Sequence, residues 1–372
     1  MGADSPAPRA TNARWFPILA MVFLATLINY LNRTVYGIAR PLFVKELHID
    51  PVWVGLIASA FSVTYVIAQI PGGAFLDKFG TRFTYGISLI TWSCFTLVQG
   101  FIIGPISMLV ARLGLGVCEA PCFPANSRVL AHWFPQVERA RANSIYSVGM
   151  YGGIAFLSVP LFWLTAHYGW RALFILTGVI GILFGIVWFL VYQEPQDSKL
   201  ANREELDLII AGGGLKHSTV QTPFRWKQVA KLLTVRQIMC ASIAQFGSNA
   251  VLTFFLIDFV NYLATQRHMP WIKAGIFVAL PYIAAAVGGL VAGQISDFIL
   301  KRTGSANLAR KLVTVTGLCL AALVPLSILV PSGNDSLMIL IMSIAFFGQG
   351  ASNQGWTVIS DIAPANVLGV TA

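Results

Sequence analysis

Long, almost uncharged apolar runs recur along this 372-residue chain, and they limit what it can become. A helix of about 20 mostly apolar residues is long enough to cross the hydrocarbon core of a bilayer. Ten such runs can be read, at 15–36, 52–76, 84–103, 105–130, 143–166, 171–192, 236–262, 272–297, 310–331 and 336–360. In hydrocarbon each backbone N–H and C=O needs an internal partner, which leaves helices for runs of this length. Composition agrees. Hydrophobic residues make up 56% and charged residues 11%, whereas a soluble domain carries about 25% charged. The predicted class is therefore an all-α membrane protein.

One polar stretch interrupts the pattern. Residues 193–235 hold Lys199, Arg203, Glu204, Glu205, Asp207, Lys216, Arg225, Lys227 and Lys231, and Glu204–Ile210 is expected to form a short amphipathic helix. The expected divisions are a tail at 1–14, a six-helix half at 15–192, a loop at 193–235 and a second half at 236–372. That second half is expected to be truncated, because 366–372 only begins an eleventh apolar run. The tail lacks the short apolar region and cleavage site of a signal peptide, so the first span is expected to be retained.

Net charge is +10, but no loop carries a long run of basic residues with interleaved aromatics, so nucleic-acid binding is not expected. The basic residues instead separate by side, as loops of membrane proteins do. With the N-terminus in the cytoplasm, eighteen Lys and Arg fall inside and five outside, leaving Arg33 and Arg112 within spans. Five cysteines, an odd number without a CxxC pair, give neither a disulfide framework nor a zinc site. The five histidines are scattered over span ends and loops. Gly212–Ser218 lacks the phosphate-loop spacing, and no HExxH or GxSxG occurs. Neither an enzyme, a metal nor a cofactor is expected.

Charged residues inside spans are costly and need a partner or a wet cavity. Arg33 sits in Asn29-Tyr-Leu-Asn-Arg33; it either snorkels to the interface or contacts an anion from inside the bundle. Arg112 and Glu119 lie seven residues apart, about 10.5 Å along a helix and near one face, too far to pair directly without long side-chain reach. They form either a structural ion network or a charge-capture and protonation site. Tyr30, Asn32, Tyr65, Gln69, Tyr146, Tyr151, Gln245, Asn249, Gln349, Asn353 and Trp356 are candidate cavity-lining groups, each with helix packing as the plainer role. Glycines within 146–153 suggest close helix contact and a bend. Asp77, Lys78 and Arg82 are expected to form a charge cluster, and Asp258 reads as interfacial.

An internal echo is also present. Gly73 precedes Asp77 by four residues, with Lys78, Gly80 and Arg82 following; Gly293 precedes Asp297 likewise, with Lys301 and Arg302 beyond. Parallel repeats of this kind occur in transporters.

Residues 72–82 resemble the loop motif of the major facilitator superfamily. Glu119-Ala-Pro-Cys-Phe-Pro124, Trp133-Phe-Pro135 with Glu138-Arg-Ala-Arg141, and Glu205-Leu-Asp207 with Gly212-Gly-Gly-Leu215 resemble its anion:cation symporter branch. The similarity runs from about residue 15 onward and is strongest to bacterial carriers of galactonate, glucarate and hexuronates. It implies two six-helix halves, a monomer in the inner membrane, and proton symport of a small anionic sugar acid by alternating access. It also implies roles. Tyr30, Asn32, Arg33, Tyr65, Asn353 and Trp356 would surround substrate. Glu119 and Arg112 would serve proton coupling, and Gly73, Asp77, Gly80 and Arg82 would serve gating. Galactonate-type carriers have Asp where this chain has Asn32, and Met150 replaces an expected polar residue. An uncoupled carrier or exchanger, or a non-transporting fragment, are the alternatives these departures and the chain length suggest.

Overall fold

The computed structural model describes residues 10–135, 138–214, 236–303, 306–331 and 333–352. Among these, eight helices are long and apolar enough to cross a membrane. Two of them run 49 and 51 residues, Pro51–Gln99 and Arg141–Val191. At about 1.5 Å per residue each would be more than twice the thickness of the hydrocarbon core. Both contain a residue with non-helical backbone, Gly80 and Gly169, each at φ 77°. Positive φ is strained for residues with a Cβ, so glycine is what lets the chain reverse at these two points.

The elements are therefore α1 (Arg14–Glu46), α2 (51–79), α3 (81–99), α4 (Pro105–Glu119), α5 (Cys122–Trp133), α6 (139–168), α7 (170–191), α8 (Arg203–Ala211), α9 (236–266), α10 (Trp271–Thr303), α11 (Ala306–Ala321) and α12 (Asp335–Ser352). The fourth expected span, 105–130, is two helices with a turn at Ala120–Pro121. Helix α6 passes through 146–153 without a break, so the glycines there serve close packing against Phe23 and Leu27 of α1 instead of a bend. The last expected span is described as far as Ser352; Asn353 and Trp356 lie outside the described residues.

The bundle has two ends. One, here the basic end, carries Arg14, Asp77, Arg82, Arg128 and Arg139; the far end carries Glu46, Trp170 and Arg267. Apolar side chains sheathe the outside, with Val66, Ile67, Phe156, Leu190 and Leu329 all more than half exposed. That is the surface expected to face lipid. One buried apolar cluster fills the first half near the basic end, around Tyr85, Trp92, Trp133 and Trp188. A second joins the two halves, from Tyr36, Phe43 and Phe162 to Phe255, Tyr282 and Phe346.

The halves meet through α1 against α9 and α6 against α10. Rings of Phe162 and Trp271 are 5.1 Å apart, and Tyr151 meets Phe346 edge-on at 5.6 Å. Arg40 of α1 is ion-paired with Asp258 of α9. Asp258 is thus a bridge between the halves, a role its position near a span end did not suggest. At the basic end a cleft of about 610 Å³ opens beside α1 and α6, lined by Trp15, Phe16, Phe23, Arg141 and Ile145 among others.

The polar stretch begins with structure. Asn202 accepts the Glu205 N–H at 3.1 Å and starts α8, as N-cap residues do. Glu205 is buried and accepts from the N–H groups of Ala13 (2.9 Å) and Arg14 (3.1 Å). Arg14 also pairs with Glu138 at 2.8 Å and Glu205 at 3.1 Å. Helix α8 is thereby fastened to the start of α1.

Candidate functional site

Helix α1 presents Asn29, Arg33, Tyr36 and Arg40 at spacings of four, three and four, one face of a 3.6-residue helix. On α4, Arg112 and Glu119 share a face for the same reason. Helix α2 adds Phe61 and Tyr65, four apart and stacked at 5.5 Å. Packing brings the three faces together inside the first half.

Arg33 Nε donates to Glu119 Oε1 at 2.6 Å, and Nη2 lies 2.6 Å from the same oxygen. Glu119 is fully buried and Arg33 is 15% exposed in its side chain, so the arginine is the partner that reaches toward open space. Its guanidinium carbon lies 5.3 Å from the centroid of the Tyr30 ring, 5.1 Å from that of Phe61 and 4.8 Å from that of Tyr65. Arg112, also buried, has no carboxylate in contact among the described residues. It lies 4.0 Å from the Tyr36 ring centroid and 4.8 Å from that of Phe61.

Several polar atoms here are left over. Arg112 Nε and Nη1, Glu119 Oε2 and both side-chain polar atoms of Asn32 have no hydrogen-bond partner among the described residues. Buried polar groups are nearly always paired, so such a group is a point where a ligand or water fits. Chemically the arrangement is one acid and two cations within one aromatic-walled region. It can exchange a bound carboxylate for an external one. The described residues contain no cluster suited to a metal ion.

Arg33, Arg112, Glu119, Tyr30 and Tyr65, expected from sequence, are brought together. Arg112 and Glu119 are not ion-paired; the partner of Glu119 is Arg33. Gly73, Asp77, Gly80 and Arg82 lie at the basic end. Asp77 pairs with Arg128 at 3.0 Å, while Arg82 donates to the Phe189 carbonyl at 2.6 Å. The expected cluster of Asp77, Lys78 and Arg82 is therefore corrected: Gly80 turns the chain between them, and Asp77 and Arg82 each find another partner. Sequence reading passed over Phe61 and Tyr36. Their signal was positional, since Phe61 precedes Tyr65 by four and Tyr36 follows Arg33 by three.

The sequence matches the model of the Major Facilitator Superfamily over residues 22–372. The chain belongs to the major facilitator superfamily. Its members transport across membranes and are not enzymes, so this chain is a multi-pass membrane transporter. A probable galactarate/D-glucarate transporter of Escherichia coli K12 is 38% identical over 99% of this chain and 84% of its own length. A D-galactonate transporter of Escherichia coli O6:H1 is 36% identical over 96% and 84%. A hexuronate transporter of Bacillus subtilis 168 is 28% identical over 95% and 82%. In fold the chain resembles a bacterial homologue of the lysosomal transporter Spinster, with a TM-score of 0.68 at 22% identity over 97% of this chain and 77% of that one. It also resembles a D-xylose-proton symporter, with a TM-score of 0.64 at 14% identity over 96% and 85%.

Proposed function

We propose that this superfamily member imports a small sugar acid, of the galactonate, glucarate or hexuronate type, together with protons. The names of its relatives support the substrate class. The observation that carries the mechanism is the buried pair of Arg33 with Glu119. A guanidinium binds carboxylates through a planar fork, so a substrate carboxylate competes with Glu119 for Arg33. Once Arg33 turns to substrate, Glu119 is buried without its counter-ion. An isolated buried carboxylate is strongly unfavourable, and binding a proton removes the charge. Substrate binding and proton uptake are thereby linked through a single guanidinium. Tyr30, Tyr65 and the unpartnered amide of Asn32 receive hydroxyl groups, with Asn353 and Trp356 contributing from the second half.

The excess of Lys and Arg in its loops supports a basic end facing the cytoplasm of a bacterial inner membrane, with the N-terminus inside. The contacts between α1 and α9 and between α6 and α10 then close the outer side, and the cleft beside α1 and α6 opens inward. Gly73, Asp77, Gly80 and Arg82 stabilise the alternative conformer, and the carrier works as a monomer. In proteoliposomes, uptake of D-glucarate or D-galactonate should rise with an inward proton gradient. Uptake of both that is indifferent to the gradient would reject the coupling, and uptake of neither would reject the substrate class.

A further inference from the structure

Arg112 poses a question that the Arg33–Glu119 pair does not answer. Its guanidinium is buried with two nitrogens unbonded, and Glu119 Oε2, on the same helix, has no cation on it, although the Asn29 amide faces the acid. Opposite charges in a low-dielectric interior attract strongly. A long arginine side chain, turned along α4, would shorten the gap between them. In the structure Arg112 is instead seated on aromatic rings. Its guanidinium carbon lies 4.0 Å from the Tyr36 ring centroid and 4.8 Å from that of Phe61. The Phe61 ring is also 5.1 Å from the Arg33 guanidinium carbon. Phe61 is 5% exposed, and its stacking on Tyr65 fixes its plane. Aromatic faces hold desolvated guanidinium groups well, which makes such a ring a seat for an otherwise unpaired cation.

We propose that Phe61 is a positioning residue: its ring seats Arg112 and Arg33 apart, so that only Arg33 neutralises Glu119. This rests on the coupled reading above and deepens it. While Phe61 is present, substrate capture of Arg33 leaves Glu119 with no cation in contact, and the acid takes a proton from solvent. Without the ring, Arg112 falls onto the open Oε2. Glu119 then keeps a counter-ion even when substrate holds Arg33, no proton is bound, and substrate crosses uncoupled. Phe61 therefore affects coupling more than binding, although it touches neither the proton nor the substrate.

The test uses purified full-length protein and D-glucarate, with infrared difference spectra recorded on ligand addition. The wild type should show a protonated-carboxyl band that Glu119→Gln lacks. Phe61→Leu should still bind D-glucarate, with affinity lowered by less than coupling is, because the ring supports Arg33 but makes no contact of its own with substrate. It should lose the band, keep D-glucarate exchange, and accumulate substrate at least about tenfold less on a proton gradient, the scale of a desolvated cation–π contact. Phe61→Tyr should restore band and accumulation. Phe61→Met, of similar bulk without a ring face, serves if Phe61→Leu does not fold. A ring-less variant with wild-type band and accumulation overturns the proposal and leaves the coupled reading standing. So does loss of binding, or failure of Phe61→Tyr to restore coupling. A wild type with neither band nor gradient-driven uptake overturns both.

Discussion

Arg33 has three aromatic rings within 5.3 Å of its guanidinium carbon and a carboxylate oxygen at 2.6 Å. A lysine at that position keeps the charge but not the planar fork or the stacking surface. Losing one charge-assisted hydrogen bond costs about 2 kcal/mol, roughly a thirtyfold change in an equilibrium. Arg33→Lys should therefore raise KM for sugar acid by about that factor, with a smaller change in kcat, in initial-rate uptake assays. An unchanged KM would remove Arg33 from the substrate site. Arg33, Arg112 and Glu119 were legible in the sequence because hydrocarbon makes a charge conspicuous. Phe61 was not, since an aromatic residue in an apolar run looks the same whether it packs on lipid, on another helix or on a cation. Arg33 joining Glu119 was equally hidden, because the two lie 86 positions apart.

Elements followed the sequence where a local rule set them. The short helix expected at Glu204–Ile210 is Arg203–Ala211, begun by the Asn202 cap. The turns at Gly80 and Gly169 fall in the expected gaps at 77–83 and 167–170. The attachment of α8 to α1 was invisible, because it joins two segments far apart in sequence through one carboxylate. Burial acts to raise the affinity of Glu205 for protons, but it is outweighed. The Thr11 hydroxyl, the N–H groups of Arg14 and Ala13, and the Arg14 guanidinium hold its carboxyl below the usual carboxylate range. A depressed carboxyl contributes stability above the unfolded-chain value, and that stability is lost as pH falls through the folded value. Glu205→Gln should loosen α8 from α1 by about 2 kcal/mol, the worth of a hydrogen bond to a charged group. Faster amide hydrogen exchange across 11–14 and 203–211 is the expected readout, and acid below the usual carboxylate range should produce the same change in the wild type but not in the variant. Unaltered exchange in Glu205→Gln would mean that α8 is held by its apolar face alone.

Across the whole molecule, the balance between conformers depends on what closes the far end. Two contacts there differ in kind. Arg40 and Asp258 bridge the halves, but Asp258 is 46% exposed in its side chain, and exposed pairs contribute only about 0–1 kcal/mol. Asp258→Asn should accordingly shift the populations by no more than about fivefold. Gly37 is the stricter contact. A Cβ built there would lie 2.3 Å from the backbone oxygen of Leu256, across the seam between α1 and α9. A backbone oxygen cannot rotate away as a side chain can, so a methyl group at this position requires the helices themselves to separate. Packed interfaces answer such a demand by switching arrangement, since close-packed cores do not deform continuously. Gly37→Ala should therefore widen the distance between spin labels placed on the far ends of α1 and α9, and should narrow it at the basic end. Sugar-acid binding should persist, because Arg33 lies a full turn away, while the turnover rate falls as return to the inward-open form becomes limiting. If the far-end distance stays unchanged in Gly37→Ala, the seam between α1 and α9 is not the outer gate, and the closed side of the carrier must be sought in the α6–α10 contact instead.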